Sequence, residues 1–206
     1  MGFVEKFQLN GVLIETTVTN KQKVIDDILW SFLHPENYKG PKVIGFDIEL
    51  SMCENKVSEE ETNFETECAI LNLCNGHSCL IIQLCHLDSF PTSLLNFLRL
   101  PDYTFVGVGI NHNLAKLEKE YGVRCRNAVE LGPLAASVRK MPSLSFCGVD
   151  ELAVAVNKLD LRNQRPLTTL FKDWGQSNLG KKLAKLATVN VYSYYMIVNT
   201  LLNGNC

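Results

Sequence analysis

A chain of 206 residues, 46% of them hydrophobic, can fill one ordinary core and is too short for two, so residues 1–206 are expected to form a single domain. Twenty basic against 22 acidic residues give a formal charge of -2, which excludes whole-molecule attraction to phosphate backbones and leaves any nucleic-acid contact to local groups. No apolar run is long enough to cross a bilayer, no signal peptide is recognisable and Lys6 stands where a myristoylation signal needs Ser or Thr, so a nuclear or cytoplasmic protein without membrane attachment is expected.

In chain order, residues 11–19 are rich in β-branched side chains and predict a strand, and residues 21–33 have helical spacing through Val24, Ile28, Leu29 and Phe32. Pro41 restarts the chain, and residues 42–50 (KVIGFDIEL) predict a short apolar strand with two carboxylates near its end. Residues 51–67 are acidic and without apolar period, and are expected to be an exposed loop. Strands follow at 68–74 and 78–84, joined by Asn75-Gly76-His77, a hairpin signal because Asn and Gly tolerate positive φ. A helix at 92–100, a buried strand at 103–110 and an amphipathic helix from Asn111 to a Gly122 stop come next. The remainder reads as helices at 129–139, 149–159 and 180–202, with a polar link containing Pro166 and Trp174. Hairpin strands, then strand and helix in alternation, then a helical second half predict an α/β fold of three layers, a mixed sheet flanked by helices.

Asp47 and Glu49 alternate along one strand, so both side chains leave the same face of the sheet. Two like charges held together are costly to bury, and a divalent cation such as Mg²⁺ or Mn²⁺ offsets that cost; an exposed strand end would leave both merely solvated. Eight cysteines are scattered without a Cys-x-x-Cys pair. The spacing of Cys68 to Cys85 with His77 and His86 fits no zinc pattern, so reduced, buried thiols are expected.

The order Gly45-Phe46-Asp47-Ile48-Glu49, then Ile82-Gln83-Leu84, then Val106-Gly107-Val108-Gly109-Ile110 opening a helix, resembles the DEDD-type 3'-5' exonuclease domains of the Werner and RNase D group. The resemblance continues through Lys116-Leu117, Tyr121-Gly122, the residues around Leu152 to Leu159, Trp174, Ala187 and Tyr192. It implies an RNase H-like exonuclease fold and a nucleic-acid partner with a 3' end, DNA and RNA both open. It also implies a site in which acidic residues hold two metal ions, one activating water and the other stabilising the departing 3' oxygen.

Carried across by motif, the first pair of acids falls on Asp47 and Glu49, the candidate catalytic and metal-binding residues that remain. The second motif's acid falls on Asn113, the third motif's acid on Asn190 and its tyrosine on Leu186. Asn keeps the shape of Asp without its charge, so weak or absent Mg²⁺ or Mn²⁺ occupancy and impaired catalysis are expected. A surviving slow exonuclease and a protein-interaction module are the alternatives. His112 is expected to face solvent, because helical neighbours point about 100° apart. Arg162, Arg165, Lys181, Lys182 and Lys185 are candidates for a nucleic-acid path, and Tyr192, Tyr194 and Tyr195 for core packing.

Overall fold

The structure, a computed structural model, describes residues 2–34, 40–56, 62–164 and 173–204. Asn10 and Gly11 take φ of 52° and 79°, the positive values that a two-residue hairpin turn requires. They fold Phe3–Leu9 (β1) back antiparallel onto Val12–Thr19 (β2). The reading of residues 11–19 finds β2 and misses β1, whose inward positions are buried only at Phe7 and Leu9.

Gln22–Leu33 (α1) presents Ile25, Leu29 and Phe32 inward, the i, i+4, i+7 stripe of an amphipathic helix. The strands Lys42–Lys56 (β3) and Thr62–Cys74 (β4) pair antiparallel from Gly45 opposite Cys74 to Lys56 opposite Thr62. The acidic stretch expected to be a loop is therefore largely ladder, because cross-strand hydrogen bonds carry the strands beyond the end of the apolar pattern; residues 57–61 lie outside the described part. Asn75 and Gly76 turn the chain into Ser78–Gln83 (β5), with the Asn75 side chain accepting from the backbone N–H groups of His77 and Ser78 at 3.0 Å each.

Thr92–Leu98 (α2) precedes Tyr103–Gly107 (β6), a strand three residues shorter than expected. Gly109 takes φ of 69°, which turns the chain out of the sheet and starts Ile110–Tyr121 (α3) at once. Gly122 ends α3 in the left-handed conformation, as the sequence predicts. The expected helix at 129–139 is instead a short strand, Ala128–Glu130 (β7), followed by Leu131–Arg139 (α4). The expected helix at 149–159 is one α turn, Val149–Leu152 (α5), that widens into a π turn and stops at Lys158, with φ of 58°. The chain closes on Lys181–Asn203 (α6).

The strands form one mixed sheet in the order β1-β2-β5-β4-β3-β6-β7. The pairs β2–β5, β3–β6 and β6–β7 are parallel and the rest antiparallel. One face buries Ile44, Phe46 and Ile48 of β3 against α1, α2 and α3. The opposite face packs Ile14, Val43, Ile70 and Ile81 with residues of α4, α5 and α6. The expected three-layer α/β arrangement is the one observed, with β3 near the centre of the sheet.

Candidate functional site

The register of β3 with β4 slips immediately after Glu49: Glu49 faces Ile70, Leu50 faces Cys68, and Ala69 is left over as a bulge. Before the slip, odd-numbered β3 residues point toward α6 and even-numbered ones into the α1–α3 side. At Gly45 α6 comes so close that a Cβ there would collide with the carbonyl oxygen of Val191. Asp47 follows one step along that face and is buried. Glu49, one step further, is partly buried and raises the Asp47 pKa through its charge.

The other motif positions arrive from two helices. Asn113 shares the inward stripe of α3 with Ile110 and Leu117, and its amide Nδ2 donates to Asp47 Oδ1 at 3.0 Å. The backbone N–H of Ile48 donates to the same oxygen at 3.0 Å. From α6, the Asn190 side chain makes a further hydrogen bond to Asp47. Leu186, one turn before Asn190, is buried in the apolar cluster beneath α6, so a hydrocarbon side chain suits its surroundings. Burial drives the Asp47 carboxyl well above the usual carboxylate range and the Glu49 charge adds to this, while the hydrogen bonds from Ile48, Asn113 and Asn190 pull the other way.

This arrangement fits a pair of divalent ions poorly. A carboxylate oxygen already receiving an N–H and an amide NH₂ has its lone pairs committed, and an amide nitrogen aimed at it is a donor, not a ligand. Among the described residues no group of three or more His, Cys, Asp or Glu side chains is placed to hold a metal ion. The cysteines of the Cys68 to Cys85 stretch are free thiols. Cys68, Cys74 and Cys79 are buried, whereas Cys85, Cys125 and Cys147 are only half-buried; burial pushes the Cys68 thiol up to about 12.

One residue of the site, Asn72, escapes sequence reasoning, and another, Gln83, enters it only as part of the Ile82-Gln83-Leu84 motif without a role. Asn72 lies directly across from Asp47 in the β3–β4 register, is wholly buried, and neither its Nδ2 nor its Oδ1 meets a hydrogen-bond partner among the described residues. Its signal is an amide set within the apolar run Ala69-Ile70-Leu71-Asn72-Leu73. Gln83, on the same face of β5, donates through Nε2 to the carbonyl oxygen of Gln176 at 2.9 Å. With His86 Nε2 at 2.8 Å from the Gly175 carbonyl oxygen, Gln83 holds the segment containing buried Trp174 beside the sheet.

The proposed basic path is dispersed. Arg162 pairs with Asp160 at 2.7 Å and Lys181 with Glu5, while Arg165 lies outside the described residues. Lys182 is exposed and Lys185 half-buried. His112 is exposed, Tyr192 and Tyr194 are buried, and the half-buried Tyr195 lays its ring over Gly76, as core packing of the last helix requires. No helix among the described residues is long and apolar enough to cross a membrane.

No family model matches the chain. The Arabidopsis thaliana protein RISC-interacting clearing 3'-5' exoribonuclease 1 is 26% identical over 167 residues, covering 80% of this chain and 75% of that protein. Trypanosoma brucei RNase D, solved in complex with RNA U12, superposes with a TM-score of 0.68 at 14% identity over 92% of this chain. Escherichia coli RNase D, an exoribonuclease of structured RNA processing, gives 0.66 at 14% identity over 90%. This chain spans 63% and 44% of those two chains, less than two thirds of either. The mixed sheet with helices on both faces, carrying a carboxylate pair on β3, is thus the fold of the RNase D structures, and the relative matched along most of the chain is a 3'-5' exoribonuclease.

Proposed function

We propose that this exonuclease-type domain has given up efficient hydrolysis and acts by binding, with a single-stranded RNA 3' end as its ligand. The observation that carries the first half is the Asn113 amide on Asp47, which puts a neutral donor where the family scheme places an acid and a cation. In-line attack on phosphorus needs an activated water and a stabilised leaving oxygen, and neither Asn113, Asn190 nor Leu186 supplies a base or an anionic metal ligand. RNA is favoured over DNA because the related Arabidopsis protein is an exoribonuclease and the Trypanosoma neighbour holds RNA.

The test uses end-labelled single-stranded RNA with Mg²⁺ and with Mn²⁺, compared with the Asp47→Ala variant. Degradation no faster than in that variant is expected, together with retention of RNA on a filter at low salt, where phosphate contacts are strongest. A metal-dependent ladder that disappears in Asp47→Ala overturns the hydrolysis half and restores the slow exonuclease.

A second reading, docking of a protein partner, is favoured by the pairing of Arg162 with Asp160 and of Lys181 with Glu5, which leaves fewer cations for phosphate. Failure of RNA to bind at low salt would select it.

A further inference from the structure

Resting on the reading that the site no longer works through a metal pair, we infer that Asn113 and Asn190 replace the cations structurally, making Asp47 a metal-independent anchor for α3 and α6. Three elements meet at this one side chain: β3 carries it, the first turns of α3 bring Asn113, and the middle of α6 brings Asn190. The apolar stripe of α3 is buried on one face of the sheet and that of α6 on the other. The hydrogen bonds to Asp47 therefore link both helical layers to β3.

A site of four carboxylates is held together by the cations between its acids, and without them the acids repel one another. Here the attraction is internal. The Asn113 amide donates at 3.0 Å, Asn190 adds a hydrogen bond and the Ile48 N–H completes the set. Neutral amides bring no further negative charge, so only the repulsion between Asp47 and Glu49 is left for the donors to offset. A divalent ion binding Asp47 must first displace these donors, and each charge-assisted bond lost weakens its binding by on the order of tenfold to a hundredfold. The arrangement thus stabilises the fold and excludes the metal through the same contacts.

The test is thermal unfolding of the full chain, in EDTA and in millimolar Mg²⁺ or Mn²⁺, backed by calorimetric titration of each metal. Wild type is expected to melt at the same temperature in all three conditions and to give no binding heat. Asn113→Asp, which sets a third acid against Asp47 and Glu49, is expected to melt several degrees lower in EDTA and to regain that loss with Mn²⁺. Asn113→Leu, which removes the donor without adding charge, is expected to melt lower in EDTA and to stay there with metal.

A wild-type melting temperature that rises saturably with Mn²⁺, and no longer does so in Asp47→Ala, overturns the inference. So does an Asn113→Leu variant as stable as wild type. If Asn113→Asp does not fold, the wild-type titration and Asn113→Leu still decide. The two readings fail separately: RNA degradation by wild type refutes the loss of hydrolysis, whereas a wild type that is stabilised by metal yet inert refutes only the anchor.

Discussion

The 3.0 Å hydrogen bond from Asn113 Nδ2 to Asp47 Oδ1 ties the start of α3 to β3 across 66 positions of sequence. It makes Asp47 an acceptor for donors from its own strand, from α3 and from α6, and this dependence can be measured. Asp47→Leu would leave the Asn113 and Asn190 amides without their acceptor, a loss of about 2–4 kcal/mol of folding stability in urea unfolding. Asp47→Asn, which retains a carbonyl oxygen of the same shape, should lose less than half as much. Equal losses would show that the hydrogen bonds contribute little.

Gly45 sits one step before Asp47 on the face that α6 covers. Because a Cβ there meets the Val191 backbone carbonyl, not a movable side-chain tip, Gly45→Ala must push α6 outward. A loss of about 1–3 kcal/mol is expected, as for overpacked cores. Displacing α6 also displaces Asn190, so near-ultraviolet circular dichroism from buried Tyr192 and Tyr194 should change along with stability.

Asn72 is wholly buried opposite Asp47, with neither polar atom of its amide paired among the described residues. Replacing an unpaired buried amide with a hydrocarbon of similar volume is neutral or stabilising. Asn72→Leu should therefore unfold at an equal or higher urea midpoint. A loss above about 1 kcal/mol would show that the amide serves the site.

Glu120 offers a test through pH. Burial alone would raise its pKa, but the Lys116 ammonium at 2.8 Å and the Cys68 backbone N–H at 2.8 Å together hold it below the ordinary 4.5. A carboxylate whose pKa is lowered by folding adds stability that is fully present above its unfolded value and is lost as pH falls through the folded value. The difference in urea midpoint between wild type and Glu120→Gln should thus be constant above pH 5 or so and shrink in more acidic solution. A difference independent of pH down to acid unfolding would contradict the ionic contribution.

Much of this protein was legible in the residues themselves. Local chemistry marks the Asn75-Gly76 hairpin and the Gly122 helix stop, because Gly76 and Gly122 take positive φ, which a residue without a side chain adopts whatever surrounds it, and the Asn75 carboxamide bonds to its own turn. Asp47 and Glu49 were legible for a similar reason: strand alternation alone sends both to one face.

What escaped was set by partners distant in sequence. The long β3–β4 ladder outlasts its apolar pattern because each strand satisfies the other's backbone, and the bulge after Glu49 exists only in their register. Sequence identifies Asn113 and Asn190 as amides at acidic positions and suggests only lost charge. Tertiary structure decides that they donate to Asp47, since the direction of a hydrogen bond depends on which groups the fold brings within 3 Å or so of each other.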